Sequence, residues 1–483
     1  VQRAREEFER GRRLLRDGPV MDAYHSLLLS ADGLERQDPE LAVAARLSAA
    51  SAAWSAGEHE LYLRALDGAG GSGADAGESA PGSRESVTSP WGAYCAGLRC
   101  VMTGDFRRAN ALLGPALELF SARHATEDLL NAGSAALLLG DIPRARHVLG
   151  LALAAARSAG EGALTTSALE HLAYAELRAG RHHQARAHAE TGLAAGAAPG
   201  MRNLTANLSA ILAMVSSISG DLATVAAHAR AALDIAHAHG LSQVRTLAEW
   251  AQARADLVHG HPELAAARLS LLVRPGPRRG HFGLWVLAVP CHVEATVLAE
   301  RNGCVDDLVD LYGAWAAMGA DPQAPAVLRR CRALVGREDR SEALFLEALD
   351  LHQTADGPFE HARTLLAFGM WLRRRRRHVE ARSPLRDAAV GFEGCGASAW
   401  AKRARDELRA AGEATGDTPQ PGLIGLLTPQ QLRIARKVAQ GATNREIACE
   451  LAISTRTVEY HLRNVFTQLR ARSRVDLARL LND

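Results

Sequence analysis

A glycine recurs along this chain at Gly18, Gly57, Gly104, Gly140, Gly180, Gly220, Gly260 and Gly303, at intervals of 39, 47, 36, 40, 40, 40 and 43 residues. A near-constant period of this length leaves room for one pair of helices and one turn, repeated along the chain. Five residues after each glycine stands a small or apolar residue: Ala23, Tyr62, Ala109, Ala145, Ala185, Val225, Ala265 and Leu308. Seven residues before five consecutive turn glycines stand Gly97, Gly133, Ala173, Ala213 and Ala253, where a missing or minimal side chain lets paired helices approach closely. One hairpin cannot bury its apolar face alone, so its neighbours must supply the missing core. The expected fold is all-α, a solenoid of helical hairpins. Two weaker units turn near Gly336 and Arg376, bringing the total to about ten. Aromatic residues make up only 5% of the chain, and no useful run alternates Val, Ile or Thr with polar residues, so nothing competes with the helical reading.

The turn glycine, with its small residues before and after, resembles the tetratricopeptide repeat. The period here exceeds that family's, which is about 34 residues, and its Trp, Tyr and Pro positions are mostly absent. Two stretches break the pattern. Residues 68–90 (GAGGSGADAGESAPGSRESVTSP) have a composition that cannot bury a core, which makes them a disordered loop between helical pairs. Residues 412–425 (GEATGDTPQPGLIG) hold two prolines and four glycines and read as a linker. The chain therefore divides into a helical-repeat region, 1–411, with sensor or interaction character, the linker 412–425, and a separate domain, 426–483.

Four helix starts can be read in that last domain, because a hydroxyl residue before an apolar-periodic run accepts a hydrogen bond from the unpaired N–H groups of a first turn. Thr428 precedes Pro429 and Gln431, and Thr443 precedes Glu446, giving two capping boxes. Ser454 precedes Val458, Leu462, Val465, Phe466 and Leu469, which share one face of a third, longest helix. Ser473 and Asp476 open a short fourth helix. Only Ala452, Ile453 and Ser454 separate the second helix from the third, so the two must cross steeply, as in a helix-turn-helix. Arg456, Glu459, Tyr460, Arg463, Asn464 and Thr467 form the polar outer face of the third helix, which has the dimensions to enter a major groove.

This stretch resembles the LuxR-type DNA-binding domain. Leu427-Thr428-Pro429, Gly441, Asn444, Glu446-Ile447-Ala448, Leu451, Ile453-Ser454, Thr457-Val458, His461, Asn464, Leu469 and Arg474 fall at the family's spacing. Gln431 stands where the family usually has glutamate, and Glu459 where it commonly has lysine, so base preference does not carry over. The resemblance implies binding to double-stranded promoter DNA. On that reading Glu459, Tyr460 and Arg463 face base edges, while Thr443, Asn444, Arg445, Arg456, Thr457 and Arg470 lie near phosphates. His461, with Val458 and Leu462, supports the helix. It also implies a homodimer on DNA, paired through the last helix at Val475, Leu477, Leu480 and Leu481, and contact with RNA polymerase as a transcription regulator, an activator.

Charge distribution agrees. The formal net charge is only +2, but from Leu423 onward ten Lys/Arg face five Asp/Glu, against 46 and 49 in the rest. Seven cysteines lack any C-x-x-C pair and read as reduced core residues of a cytoplasmic protein. No segment reads as a membrane span or secretory signal. The histidine groups His182-His183-His188, His237-His239 and His259-His261 lack a carboxylate or cysteine set and read as turn or groove residues, with no metal expected. The run Arg373 to Arg377 surrounds a helix end and reads as solvated. No G-x-x-x-x-G-K-[ST] loop occurs, and Lys402 and Lys437 are the only lysines, so neither a cofactor nor catalysis is expected in this chain. LuxR-type domains behind long helical repeats resemble the large ATP-binding, MalT-like regulators. With Val1 already inside a charged helical pattern, the expectation is that an ATP-binding domain precedes it in a longer protein. The repeats would then take an unknown small-molecule or protein effector. An alternative reading is a protein-binding repeat scaffold to which the DNA-binding domain is subordinate.

Overall fold

The computed structural model describes residues 1–69, 90–300, 305–336, 338–355, 357–413, 427, 429–451, 455–469, 471, 473–474 and 476–477. The expected loop and linker lie outside these residues apart from their ends. Among the described residues the secondary structure is helical throughout, without a strand, and no helix is long and apolar enough to cross a membrane. Most helices of the repeat region pack chiefly on a sequence neighbour, as stacked hairpins require.

Six of the eight turn glycines, Gly57, Gly104, Gly140, Gly180, Gly220 and Gly260, take φ between 72° and 84°. This left-handed conformation costs a residue bearing a Cβ more than it costs glycine. Gly140 is the most constrained, because a Cβ there would lie 1.8 Å from the Ala320 carbonyl oxygen. Gly18 departs from the expected pattern with φ 177°, an extended backbone open to any residue, and Gly303 lies outside the described residues. At the weak turn near Arg376, the arginine itself takes φ 60°.

A second regularity explains why small residues recur before the turns. A Cβ built on Gly133 would lie 2.4 Å from the Leu149 side chain; on Gly97, 2.5 Å from Leu113; on Gly11, 2.5 Å from Leu27; and on Gly369, 2.5 Å from Leu385. Each of these leucines is fully buried. The glycine of one helix thus accepts the leucine of its hairpin partner, and burial of each such leucine stabilises the pair by about 1.5–3 kcal/mol. Gly369, Arg376 and Ala381 repeat the spacing with arginine in the glycine's place, which is why the unit looks weak in sequence.

The chain forms two compact units, Val1–Asp356 and Gly357–Asp483. The second joins the repeat helices Pro358–Arg374, His378–Gly394 and Ser398–Ala410 to the C-terminal segment, since His378–Gly394 packs against Pro429–Ala439. This boundary falls earlier than the linker read from composition. Within this unit Arg373 pairs with Glu407 at 2.6 Å and Arg377 with Glu380 at 2.5 Å, so part of the arginine run is spent in local ion pairs.

The N-terminal unit also closes on itself. Helix Gln2–Asp17 packs on Arg202–Ser219, and Pro39–Ala56 on Ser242–Val258. Asn203 Nδ2 donates to the carbonyl oxygens of Leu15 and Gly18, both at 2.9 Å, while its Oδ1 lies 2.6 Å from His239 Nδ1. Trp54 Nε1 donates to Gln243 Oε1 at 2.8 Å, and His281 Nε2 lies 2.6 Å from the Trp54 carbonyl oxygen.

Candidate nucleic-acid interface

Three helices build the site: Pro429–Ala439, Asn444–Glu450 and Thr455–Leu469. They share a core of Leu427, Ile434, Ala435, Val438, Ile447, Ala448, Val458, Leu462, Val465, Leu469, Ala471 and Leu477, with Leu451 and Phe466 packed at its edge. The apolar face read from the third helix therefore lies inward.

The second helix begins as its sequence dictates. The Thr443 backbone N–H donates to Glu446 Oε2 at 2.7 Å, the Thr443 hydroxyl lies 2.9 Å from the same oxygen, and the Glu446 N–H donates to Thr443 Oγ1 at 3.3 Å. Those bonds lower the Glu446 pKa below the ordinary carboxylate value, the backbone N–H contributing most. Gly441, with φ 90°, ends the first helix just before this cap. Lys437 Nζ, 2.6 Å from Glu450 Oε2, joins the end of the first helix to that of the second.

Glu459, Tyr460 and Arg463 are exposed on the outer face of the third helix, Tyr460 with 63% of its surface accessible. Their spacing of one, three and four residues keeps them on one side. His461 and Thr457 are half-buried at the edge of this face. Burial lowers the His461 pKa, favouring the neutral ring. Asn444, Glu459, Arg463 and Arg474 border one open cleft floored by Leu462, Phe466 and Ala471. Residues expected at base edges and at phosphates thus meet in one concavity.

Of the expected phosphate contacts, Arg445 is exposed, Thr443 is exposed with its hydroxyl engaged in the cap, and Asn444 is half-buried. The Arg456 side chain and Arg470 lie outside the described residues. Arg474 gains a role that sequence spacing had not assigned: Nη1 donates to Asn444 Oδ1 at 2.9 Å and Nη2 donates to the Ala442 carbonyl oxygen. It holds the first turn of the recognition motif from the chain's far side. The family spacing had marked Arg474 without giving it a role, and no local pattern encodes a bond across 30 residues.

The fourth helix opens as expected, with the Asp476 N–H donating to Ser473 Oγ at 3.1 Å. Leu477, expected in the pairing surface, is fully buried in the domain's own core. Its N–H donates to the Ser473 carbonyl oxygen, and the helical turn this sets aims the side chain inward. Val475, Leu480 and Leu481 lie outside the described residues.

Residues 425–481 match the family described as bacterial regulatory proteins, luxR family. The chain is similar to the nitrate/nitrite response regulator protein NarP of Escherichia coli, 36% identical over 80 residues, or 17% of this chain and 36% of that protein. A nitrate/nitrite response regulator homologue of Haemophilus influenzae is 41% identical over 58 residues, covering 12% of this chain and 28% of that protein. A Mycobacterium bovis protein named as an HTH-type transcriptional regulator is 39% identical over 84 residues, covering 16% and 10%. The chain thus spans about a third or less of the length of these relatives. Among solved structures, a Rap protein complexed with competence and sporulation factor matches 85% of this chain and 98% of its own, at 12% identity and a TM-score of 0.40. What the motif, the geometry and the family match establish together is that the C-terminal segment of this chain is a LuxR-family helix-turn-helix domain.

Proposed function

We propose that this chain is a DNA-binding regulator of transcription, in which the LuxR-family domain docks its third helix in the major groove of promoter DNA. The observation that carries this reading is the outer face of that helix: Glu459, Tyr460 and Arg463 stand exposed on a scaffold whose opposite face is fully packed. Arg463 donates to guanine acceptors, the commonest specific pairing in that groove. Arg445, with Arg456 and Arg470, neutralises phosphates, and Thr443, Asn444 and Thr457 lie beside them. The regulator acts in the cytoplasm as an activator that engages RNA polymerase, and its helical repeats receive the effector that sets its activity. Among LuxR-domain proteins this organisation fits the large MalT-like regulators, and the part played by the present chain is recognition without catalysis.

Pairing of two copies on DNA would rest on Val475, Leu480 and Leu481, and the target would then be two half-sites about one helical turn apart. The test is fluorescence anisotropy of the chain on duplex DNA across a salt series. Counterion release requires affinity to fall steeply as salt rises. Affinity that does not change with salt, or an absence of binding, would leave the repeat region as the main working part, acting as a protein-binding scaffold.

A further inference from the structure

Within the N-terminal unit the helices line an open cavity of about 470 Å³. That is the volume of a site for a small organic molecule. Trp54, Tyr62, Trp91 and Tyr94 give its wall flat apolar faces. Charged side chains also border it, and most are already paired. Arg12 Nη2 lies 2.5 Å from Glu127 Oε1, Arg123 lies 3.7 Å from Asp128, and His171 Nδ1 lies 3.0 Å from Glu170 Oε2. Burial acts most strongly to lower the His171 pKa, but the adjacent Glu170 carboxylate and the Ser167 carbonyl together outweigh it and raise the value to about 9, so the pair is ionic. Glu40 is exposed in the first turn of its helix, where the helix dipole favours a carboxylate.

Two polar groups on this wall have no protein partner. Arg16, half-buried in the last turn of helix Gln2–Asp17, makes no ion pair or hydrogen bond among the described residues. Asn207 Oδ1 is buried and accepts no hydrogen bond. A cation and an acceptor left unmatched beside aromatic faces describe their complement: an anionic group, an N–H or O–H donor, and an apolar body.

We propose that this cavity binds an amphipathic organic anion, a carboxylate or its chemical equivalent, with the charge on Arg16, a donor on Asn207 and an aromatic or acyl body against Trp54 and Trp91. A metal or organic cation fits poorly, because Glu127, Asp128 and Glu170 already have counter-charges and Glu40 is exposed to solvent. The inference gives a chemical class to the effector of the function proposed above and rests on that reading for its regulatory meaning; binding itself is a property of the repeats.

The probe is anilinonaphthalene sulfonate, an aromatic anion with a bridging N–H, titrated against its uncharged relative phenylnaphthylamine. Energy transfer from tryptophan in the full chain reports binding. The expected result is saturation at one probe per chain, with the anion about tenfold tighter than the neutral probe. Arg16→Gln is expected to bring the two affinities together while leaving the neutral probe within about twofold, and Arg16→Lys to keep much of the preference. The unchanged neutral probe shows that the variant is folded. Equal affinities in the wild type, a preference that survives Arg16→Gln, or binding without a defined stoichiometry would overturn the assignment. Duplex DNA affinity measured with and without the anionic probe separates the two levels. A probe that binds through Arg16 but leaves DNA affinity unchanged supports the site and overturns its role in regulation, whereas loss of DNA binding in both states refutes the function and leaves the site standing.

Discussion

Replacing Arg474 by alanine separates a residue that positions the DNA-reading surface from one that touches DNA. The guanidinium donates to Asn444 Oδ1 at 2.9 Å and to the Ala442 carbonyl oxygen, joining the last described turn of the domain to the start of its second helix. A hydrogen bond from a charged donor contributes about 1.5–3 kcal/mol when shielded, but Arg474 is exposed and solvent competes for it. Loss of both bonds should therefore cost the second helix about 1–2 kcal/mol of local stability. Hydrogen exchange on the full chain reads this directly, because the amides from Thr443 to Ile447 should exchange roughly tenfold faster. DNA affinity should fall with it, and Arg474→Lys should restore only part of both, since an ammonium cannot reproduce the fork. Arg445→Ala is the control: it should weaken DNA binding and leave exchange unchanged. If Arg474→Ala weakened DNA binding without altering exchange at the second helix, the positioning role would be wrong and Arg474 would belong with the phosphate contacts.

Two further outcomes follow from the repeats. Leu149→Ala, at a fully buried leucine seated against Gly133, should cost about 2–5 kcal/mol in denaturant unfolding, and Gly133→Val should also destabilise because its Cβ would collide with Leu149. Burial lowers the His281 pKa to about 4 from an ordinary 6.5, the hydrogen bond to the Trp54 carbonyl opposing this only in part. The unfolded chain therefore binds the extra proton first, and closure of the N-terminal unit should lose stability as pH falls from about 6.5 to 4, a slope that His281→Gln should flatten in a pH series of thermal melts.

Much of the C-terminal site was legible because its signals are local. The Thr443–Glu446 cap, the inward run from Val458 to Leu469 and the outward Glu459, Tyr460 and Arg463 are each set by residues within about three turns of one another. The repeat was legible for the same reason, since a glycine in the left-handed region and a small residue seven before it belong to one hairpin. What escaped the sequence depends on distant partners. Trp54 meets Gln243 and Asn203 meets Gly18 across intervals of 189 and 185 residues, and no periodicity announces which turns of a superhelix will touch. Gly18 itself misled, because the expected turn there is extended. Leu477, expected at the pairing surface, is buried in a core that the other helices of the domain complete.

The central claim is that the outer face of the third helix reads bases, and the most direct measurement is a binding series for Arg463→Ala over duplexes carrying every single-base change in the preferred site. The account predicts a loss of ~1–3 kcal/mol at that site and a relaxed preference at one position per half-site, with the other positions unaffected. A uniform loss across all variants would contradict it, placing Arg463 on a phosphate and leaving base recognition to Glu459 and Tyr460.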